Sequence, residues 1–149
     1  MELYRITLEK YSYKLVASGS PARWNSRDIK VIYTASSRAL ACLENVVHRS
    51  ALGLQDNFRT MIINVPDGIK ISDINLSNLK KDWQLFQNYP LTQAIGDEWA
   101  KKCETLLLKV PSAIVSGEFN YLINPLHADF RKIKLVRTEA FEFDSRIKK

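Results

Sequence analysis

Apolar and polar side chains alternate from the second residue onward. In "ELYRITL", Leu3, Arg5 and Thr7 fall on one face of a strand and Tyr4, Ile6 and Leu8 on the other. "ASGSPARWNS" is rich in turn formers and breaks the pattern into a loop. "IKVIYTA" is dense in β-branched residues and predicts a short buried strand. The period then lengthens. In "SSRALACLENVVHRSA", Ala39, Leu40, Leu43, Val46 and Val47 share one helical stripe, with Ser36 or Ser37 as the N-cap. "FRTMIINVP" predicts another strand, and "DGIKISDI" a turn followed by a short extended segment. "LTQAIGDEWAKKCETLLL" reads as a helix that yields to a strand near Leu106. "KVPSAIVSGEFNYLINP" is mostly extended, and "LHADFRKIKLVRTEAFEFD" is a turn followed by a final strand over residues 133–143. Strands outnumber helices and do not alternate strictly with them. The expectation is an α+β fold, a single compact domain on a mixed or mostly antiparallel sheet.

Composition narrows the classes. At 149 residues, 46% apolar and 26% charged, the chain suits one domain with its own core, spanning 1–149 with a basic, solvated tail from about residue 144. No stretch approaches the ~20 apolar residues of a membrane span. "MELYRITLEKYSYK" carries charge throughout and lacks the apolar core of a secretory signal, which predicts a cytoplasmic protein. Cys42 and Cys103 form no CxxC and have no histidine cluster, so neither zinc nor a disulfide framework is expected. Both read as small apolar side chains in helical segments. The net charge is +6, but residues 130–149 hold seven Lys/Arg against three Asp/Glu, leaving only +2 for the rest. That argues against direct nucleic-acid binding, which needs a basic stripe interleaved with aromatics.

Candidate chemistry sits on a few positions, each with an ordinary alternative. On a wheel of ~100° per residue, Glu44 lies at the edge of the apolar stripe beside Leu40, Val47 and His48. A carboxylate there is half shielded, or simply paired with His48 at i+4. Arg5 sits mid-strand on the face of Leu3, where a charge needs either a carboxylate partner or an anion in a cleft. Arg23 beside Trp24 can be structural. Tyr33, between apolar neighbours, can be core with a satisfied hydroxyl. Ser112 can be a strand-start residue after Pro111, and His127 a turn cap.

Their order along the chain adds weight. "YRI", "ARWNS", "VIYTASSRALACLE", "IGDEW", "VPSAIV" and "NYLINPLHADF" follow one another from about Leu3 to about Ile133. In this combination the sequence resembles the RES domain, named for Arg, Glu and Ser, the toxin half of bacterial RES–Xre toxin–antitoxin pairs. One departure concerns the stretch before "RWN". Family members commonly carry glycine there, whereas this chain has Pro21 and Ala22, with Gly19 further back.

The resemblance implies an ADP-ribosyltransferase-like fold and a toxin that depletes NAD⁺ by hydrolysis or phosphorolysis of the nicotinamide–ribose bond. It implies Glu44 as the catalytic acid and Arg5, Arg23, Tyr33 and Ser112 as substrate-binding residues. Asn120 and His127 support them. NAD⁺ is then a substrate, and neither cofactor nor metal is expected. The implied partner is a Xre-like helix-turn-helix antitoxin that covers the cleft; a homodimer and a toxin–antitoxin hetero-oligomer both stay open. Two other outcomes remain at this level: an ADP-ribosyltransferase acting on a protein, and a non-enzymatic or RNA-binding toxin. The residue types suit the first outcome. Forked guanidiniums hold phosphate oxygens. An aromatic face suits a cationic pyridinium. A carboxylate stabilises an oxocarbenium-like ribose and its 2′-hydroxyl contact. Cys42 stands two residues before Glu44, where a second acid often serves transfer to a protein.

Overall fold

Seven strands form one sheet in a computed structural model that describes residues 1–148. They are β1 (Glu2–Leu8), β2 (Ile32–Ala35), β3 (Phe58–Asn64), β4 (Ile71–Asp73), β5 (Leu107–Pro111), β6 (Phe119–Ile123) and β7 (Lys134–Phe141). Their order is β4-β5-β6-β2-β1-β3-β7. Every neighbouring pair is antiparallel except β4 and β5. Two helices, α1 (Arg38–His48) and α2 (Tyr89–Lys102), complete the α+β domain expected from the pattern.

The sheet is weakly joined at its centre. β1 matches β3 through seven register pairs and β2 matches β6 through four, yet β1 and β2 share only Tyr4 opposite Ala35. Beyond that pair β1 and β2 keep no common register, and the Ile6 carbonyl of β1 accepts from a side chain, Asn45 Nδ2, instead. Unpaired strand groups are costly unless something fills the space beside them.

Alternation sorts the core as the first strand predicts. Leu3 packs with Ile32, Met61, Ile63, Leu107 and Ile123. Ile6, Ala35 and Phe58 lie under α1, against Leu40 and Ala41. Leu108, Val110 and Leu122 lie under α2, where Trp99 meets Trp24 and Trp83. Each fully buried leucine or isoleucine contributes roughly 1.5–3 kcal/mol. The two helices cover separate patches of sheet, and the gap between β1 and β2 opens between them.

Three expectations change. α1 begins after Ser37, whose Oγ accepts from the Leu40 N–H at 3.1 Å, but its buried residues are Leu40 and Ala41. Leu43 and Val47, central to the predicted stripe, are 40% and 55% exposed. A wheel weights apolar residues alone, whereas here small Ala41 meets the sheet and polar Glu44 and Asn45 turn toward the gap. Cys103 is not helical. It ends α2 in a left-handed conformation (φ 55°), with its N–H donating to the Trp99 carbonyl. Finally, the tail is not merely solvated. Lys148 Nζ donates to the carbonyls of Val46 and Arg49 at 2.8 and 2.7 Å, capping the C-terminal end of α1.

Candidate active site

The loop carrying "RWN" is built before it binds anything. Its left-handed turns fall on Gly19 (φ 77°) and Asp28 (φ 68°), whose N–H donates to the Gly19 carbonyl at 2.8 Å. Ala22 and Asn25 pair through their backbones. Neither Pro21 nor Ala22 has a positive φ, so the loop closes without the glycine usual there. Buried Asn25 ties the loop together, donating through Nδ2 to the carbonyls of Ser20, Ser26 and Ile29. Helix α2 then grips the outside. Thr92 Oγ1 donates to the Arg23 carbonyl at 2.6 Å and Gln93 Nε2 to that of Ala22 at 2.8 Å. The Asp97 carboxylate accepts from the Ser26 N–H and hydroxyl. The "IGDEW" and "RWN" motifs are thus two halves of one contact.

Arg23 leaves this loop toward the gap. Its guanidinium lies 4.8 Å from the Tyr89 ring centroid and 5.6 Å from that of Trp83, and donates to the Gln84 carbonyl at 2.8 Å. Stacking leaves the remaining edge of the fork available. The Tyr33 hydroxyl, by contrast, is committed. It donates to Asn25 Oδ1 at 2.6 Å and accepts from the Trp24 N–H at 3.1 Å, and burial pushes its pKa up. Tyr33 therefore presents its ring to the gap and supports the loop with its oxygen.

Glu44 comes from α1 on the opposite wall. Its Oε1 accepts from Asn120 Nδ2 at 2.6 Å, and Oε2 lies 3.7 Å from His48 Nε2, the i+4 partner expected from the wheel. Asn45 fixes this wall to the sheet, donating to the carbonyl of Ile6 at 2.9 Å, and its Oδ1 accepts from Arg49 Nε at 3.1 Å.

Between these walls lies a cavity of about 550 Å³. That is within the range of ordinary ligand sites. Arg5, Arg23, Tyr33, Glu44 and Asn120 all line it. His48 aside, its charged groups are three arginines, Arg5, Arg23 and Arg49, against Glu44, a balance of 3 minus 1, or +2. Arg5 is the telling member. No carboxylate or carbonyl engages its guanidinium among the described residues, and burial lowers its pKa. A half-buried cation without a partner is costly to the empty fold and strong toward an anion. We expect Arg5→Met to keep or raise the melting temperature while weakening NAD⁺ binding at least about tenfold, the worth of one charge-assisted hydrogen bond. Calorimetric titration and a thermal melt on the same protein check both halves.

Two sequence candidates lie elsewhere. Ser112 is buried outside the cavity lining, and its Oγ accepts from the N–H groups of Ile114 and Val115, both at 3.1 Å. It closes the β5–β6 turn. His127 caps a short 3₁₀ turn, its Nδ1 accepting from the Asp129 N–H at 3.0 Å. Conversely, Asn45, Arg49 and Tyr89 line the cavity without having been singled out. Asn45 adjoins Glu44 and Arg49 adjoins His48, and the two lie four residues apart, a one-turn spacing that could have flagged them as a pair. Nothing local marks Tyr89.

The RES domain model matches residues 2–144. The chain belongs to the RES domain family of toxins. "Toxin Res" of Photorhabdus laumondii subsp. laumondii is 36% identical, the match taking in 100% of this chain and 98% of that protein. The "Prs ADP-ribosylating toxin" of a Sphingobium species is 40% identical over 127 residues, 84% of this chain and 79% of that one. Among solved structures, the M. tuberculosis MbcT–MbcA toxin–antitoxin complex contains a chain that superposes with a TM-score of 0.78 at 19% identity, covering 95% of this chain and 84% of its own. That likeness bears on the fold. No helix of the RES domain is long and apolar enough to cross a membrane among the described residues.

Proposed function

We propose that this RES toxin cleaves the nicotinamide–ribose bond of NAD⁺ in the bacterial cytoplasm and arrests growth by depleting the dinucleotide. The observation that carries the reading is the charge of the cavity: +2, with Arg5 unpaired, opposite a single carboxylate. A pyrophosphate dianion complements it, and Arg23 and Arg49 add donors on the same cavity surface. Tyr33 offers a ring face for a planar base or pyridinium, and Tyr89 holds the Arg23 guanidinium beside it. Glu44 supplies the negative charge for the oxocarbenium-like ribose.

The bond breaks with its electron pair passing to the pyridinium nitrogen, so nicotinamide departs neutral and needs no acid. The acceptor oxygen then bonds to C1′ and releases its proton to solvent. Water yields ADP-ribose; phosphate yields ADP-ribose 1″-phosphate. Transfer to a protein side chain is the second reading, favoured by the name of the Sphingobium relative, an ADP-ribosylating toxin. Against it, the position two residues before Glu44 is Cys42, half-buried against the Leu40 cluster and unable to serve as a second acid. A Xre-like antitoxin over the cavity mouth is the partner this reading implies.

The deciding experiment incubates the purified toxin with NAD⁺, with and without inorganic phosphate, and identifies products by mass spectrometry. Release of nicotinamide with ADP-ribose or its phosphate supports NAD⁺ consumption. Nicotinamide release that requires added protein, with that protein gaining ADP-ribose, supports transfer. No nicotinamide release under either condition overturns the proposal.

A further inference from the structure

We propose that Asn120 is a substrate-binding residue that, together with Glu44, reads the vicinal hydroxyls of the nicotinamide ribose. This rests on the NAD⁺ reading above and assigns one more contact within it. The observation is an orphan. Asn120 Oδ1 is buried and has no hydrogen-bond partner among the described residues. An amide oxygen left unpaired inside a protein is unusual and calls for an explanation.

The amide cannot relieve itself by turning over. Ionised Glu44 only accepts hydrogen bonds, so Nδ2 must face Oε1, as it does at 2.6 Å. Turning the amide would set two acceptors against each other. The bond to Glu44 therefore holds Oδ1 in its unpaired orientation. Asn120 has no freedom on its backbone side either, being the β6 partner of both Ala35 and Val110 in the middle of the sheet.

The missing partner has to be a donor, which excludes phosphate oxygens and the ring faces of a base. Asn120 and Glu44 line the same cavity. The second carboxylate oxygen, Oε2, has only His48 near it, at 3.7 Å. Two acceptors, Glu44 Oε2 and Asn120 Oδ1, thus flank one shared N–H···O bond. A cis-diol presents two adjacent O–H donors and matches that arrangement. Glu44 serves the charge at C1′ and takes the nearer 2′-hydroxyl. The 3′-hydroxyl falls to Asn120.

The test couples a protein change to a substrate change. Initial rates of nicotinamide release give kcat/KM for NAD⁺ and for its analogue lacking the 3′-hydroxyl on the nicotinamide ribose. Wild type should discriminate against the analogue by about tenfold, the worth of one neutral hydrogen bond. Asn120→Ala should be slower on NAD⁺ and should lose that discrimination, handling both substrates within about twofold. Circular dichroism checks that the variant folds; Asn120→Ser, too short to reach either partner, repeats the comparison if it does not. An undiminished 3′-hydroxyl preference in both folded variants would show that Asn120 only props Glu44 and would overturn the inference. Coupling instead to the carboxamide, seen with nicotinic acid adenine dinucleotide, would also overturn it. A wild-type protein that releases no nicotinamide from NAD⁺ refutes the underlying function, an outcome distinct from either.

Discussion

Glu44→Gln should lower NAD⁺ turnover by at least about 100-fold and leave the protein folded, since removing an electrostatic stabiliser of a transition state costs about 10²–10³ in rate. The substitution is nearly isosteric. Glutamine's carbonyl still accepts the Asn120 Nδ2–H that Glu44 Oε1 accepts at 2.6 Å, so the packing of α1 against β6 survives. What disappears is the single negative charge in a cavity that otherwise carries three arginines. The empty protein should gain little or nothing in stability from that charge, because only His48 at 3.7 Å faces its free oxygen and that histidine is largely exposed. Single-turnover rates with a parallel thermal melt separate the two effects. A rate within about tenfold of wild type would remove Glu44 from the chemistry, since tenfold corresponds to only about 1.4 kcal/mol of barrier.

Gly96→Ala should be the most damaging single change outside the cavity. A Cβ built on Gly96 would lie 1.7 Å from the Trp24 carbonyl oxygen and 2.7 Å from its carbonyl carbon. Both are backbone atoms of the loop that presents Arg23, so no side chain can rotate away. Helix α2 and the loop must separate, straining the bonds that Thr92 donates to Arg23 and Ser26 donates to Asp97. Overpacking of this kind costs about 3 kcal/mol or more, which lowers the melting temperature by roughly 6–12 °C for a chain of this size. Substrate affinity should fall as well, because Arg23 moves with the loop. Gly68→Ala is the control. Its built Cβ meets nothing within 4 Å, although its φ of 84° adds some strain. If Gly96→Ala melts no lower than that control, the loop–helix contact is looser than the structure shows.

Much of the fold was legible along the chain. The alternation in "ELYRITL" correctly separated Leu3 from Ile6, because a strand's two faces are set by its backbone alone. The serine before α1 was legible for a similar reason, since a cap is a local contact between Ser37 and Leu40. The buried face of α1 was not. Periodicity counts Leu43 and Val47 as core, but burial depends on what lies beneath the helix, and there the sheet opens toward a polar cavity. Ser112 and His127 show the opposite limit. Both belong to motifs of the family, and both are committed to turns outside the cavity lining.

Read along the chain, the side chains give the class of the protein, the strand-rich α+β domain and the residues of opposite charge that come to line the cavity. Those follow from side-chain chemistry and from contacts within a few positions of the chain. Tertiary structure alone decided which of them meet. β1 and β2 share a single register pair, and the cavity beside them is walled by α1 on one side and by the Ala22–Trp24 loop with Tyr89 on the other. Arg5 is left without a partner, and Asn120 is turned by Glu44 so that its oxygen has none. Such unmet needs depend on every element around a residue, because desolvation and hydrogen-bond satisfaction are properties of the packed surroundings and not of the chain near it.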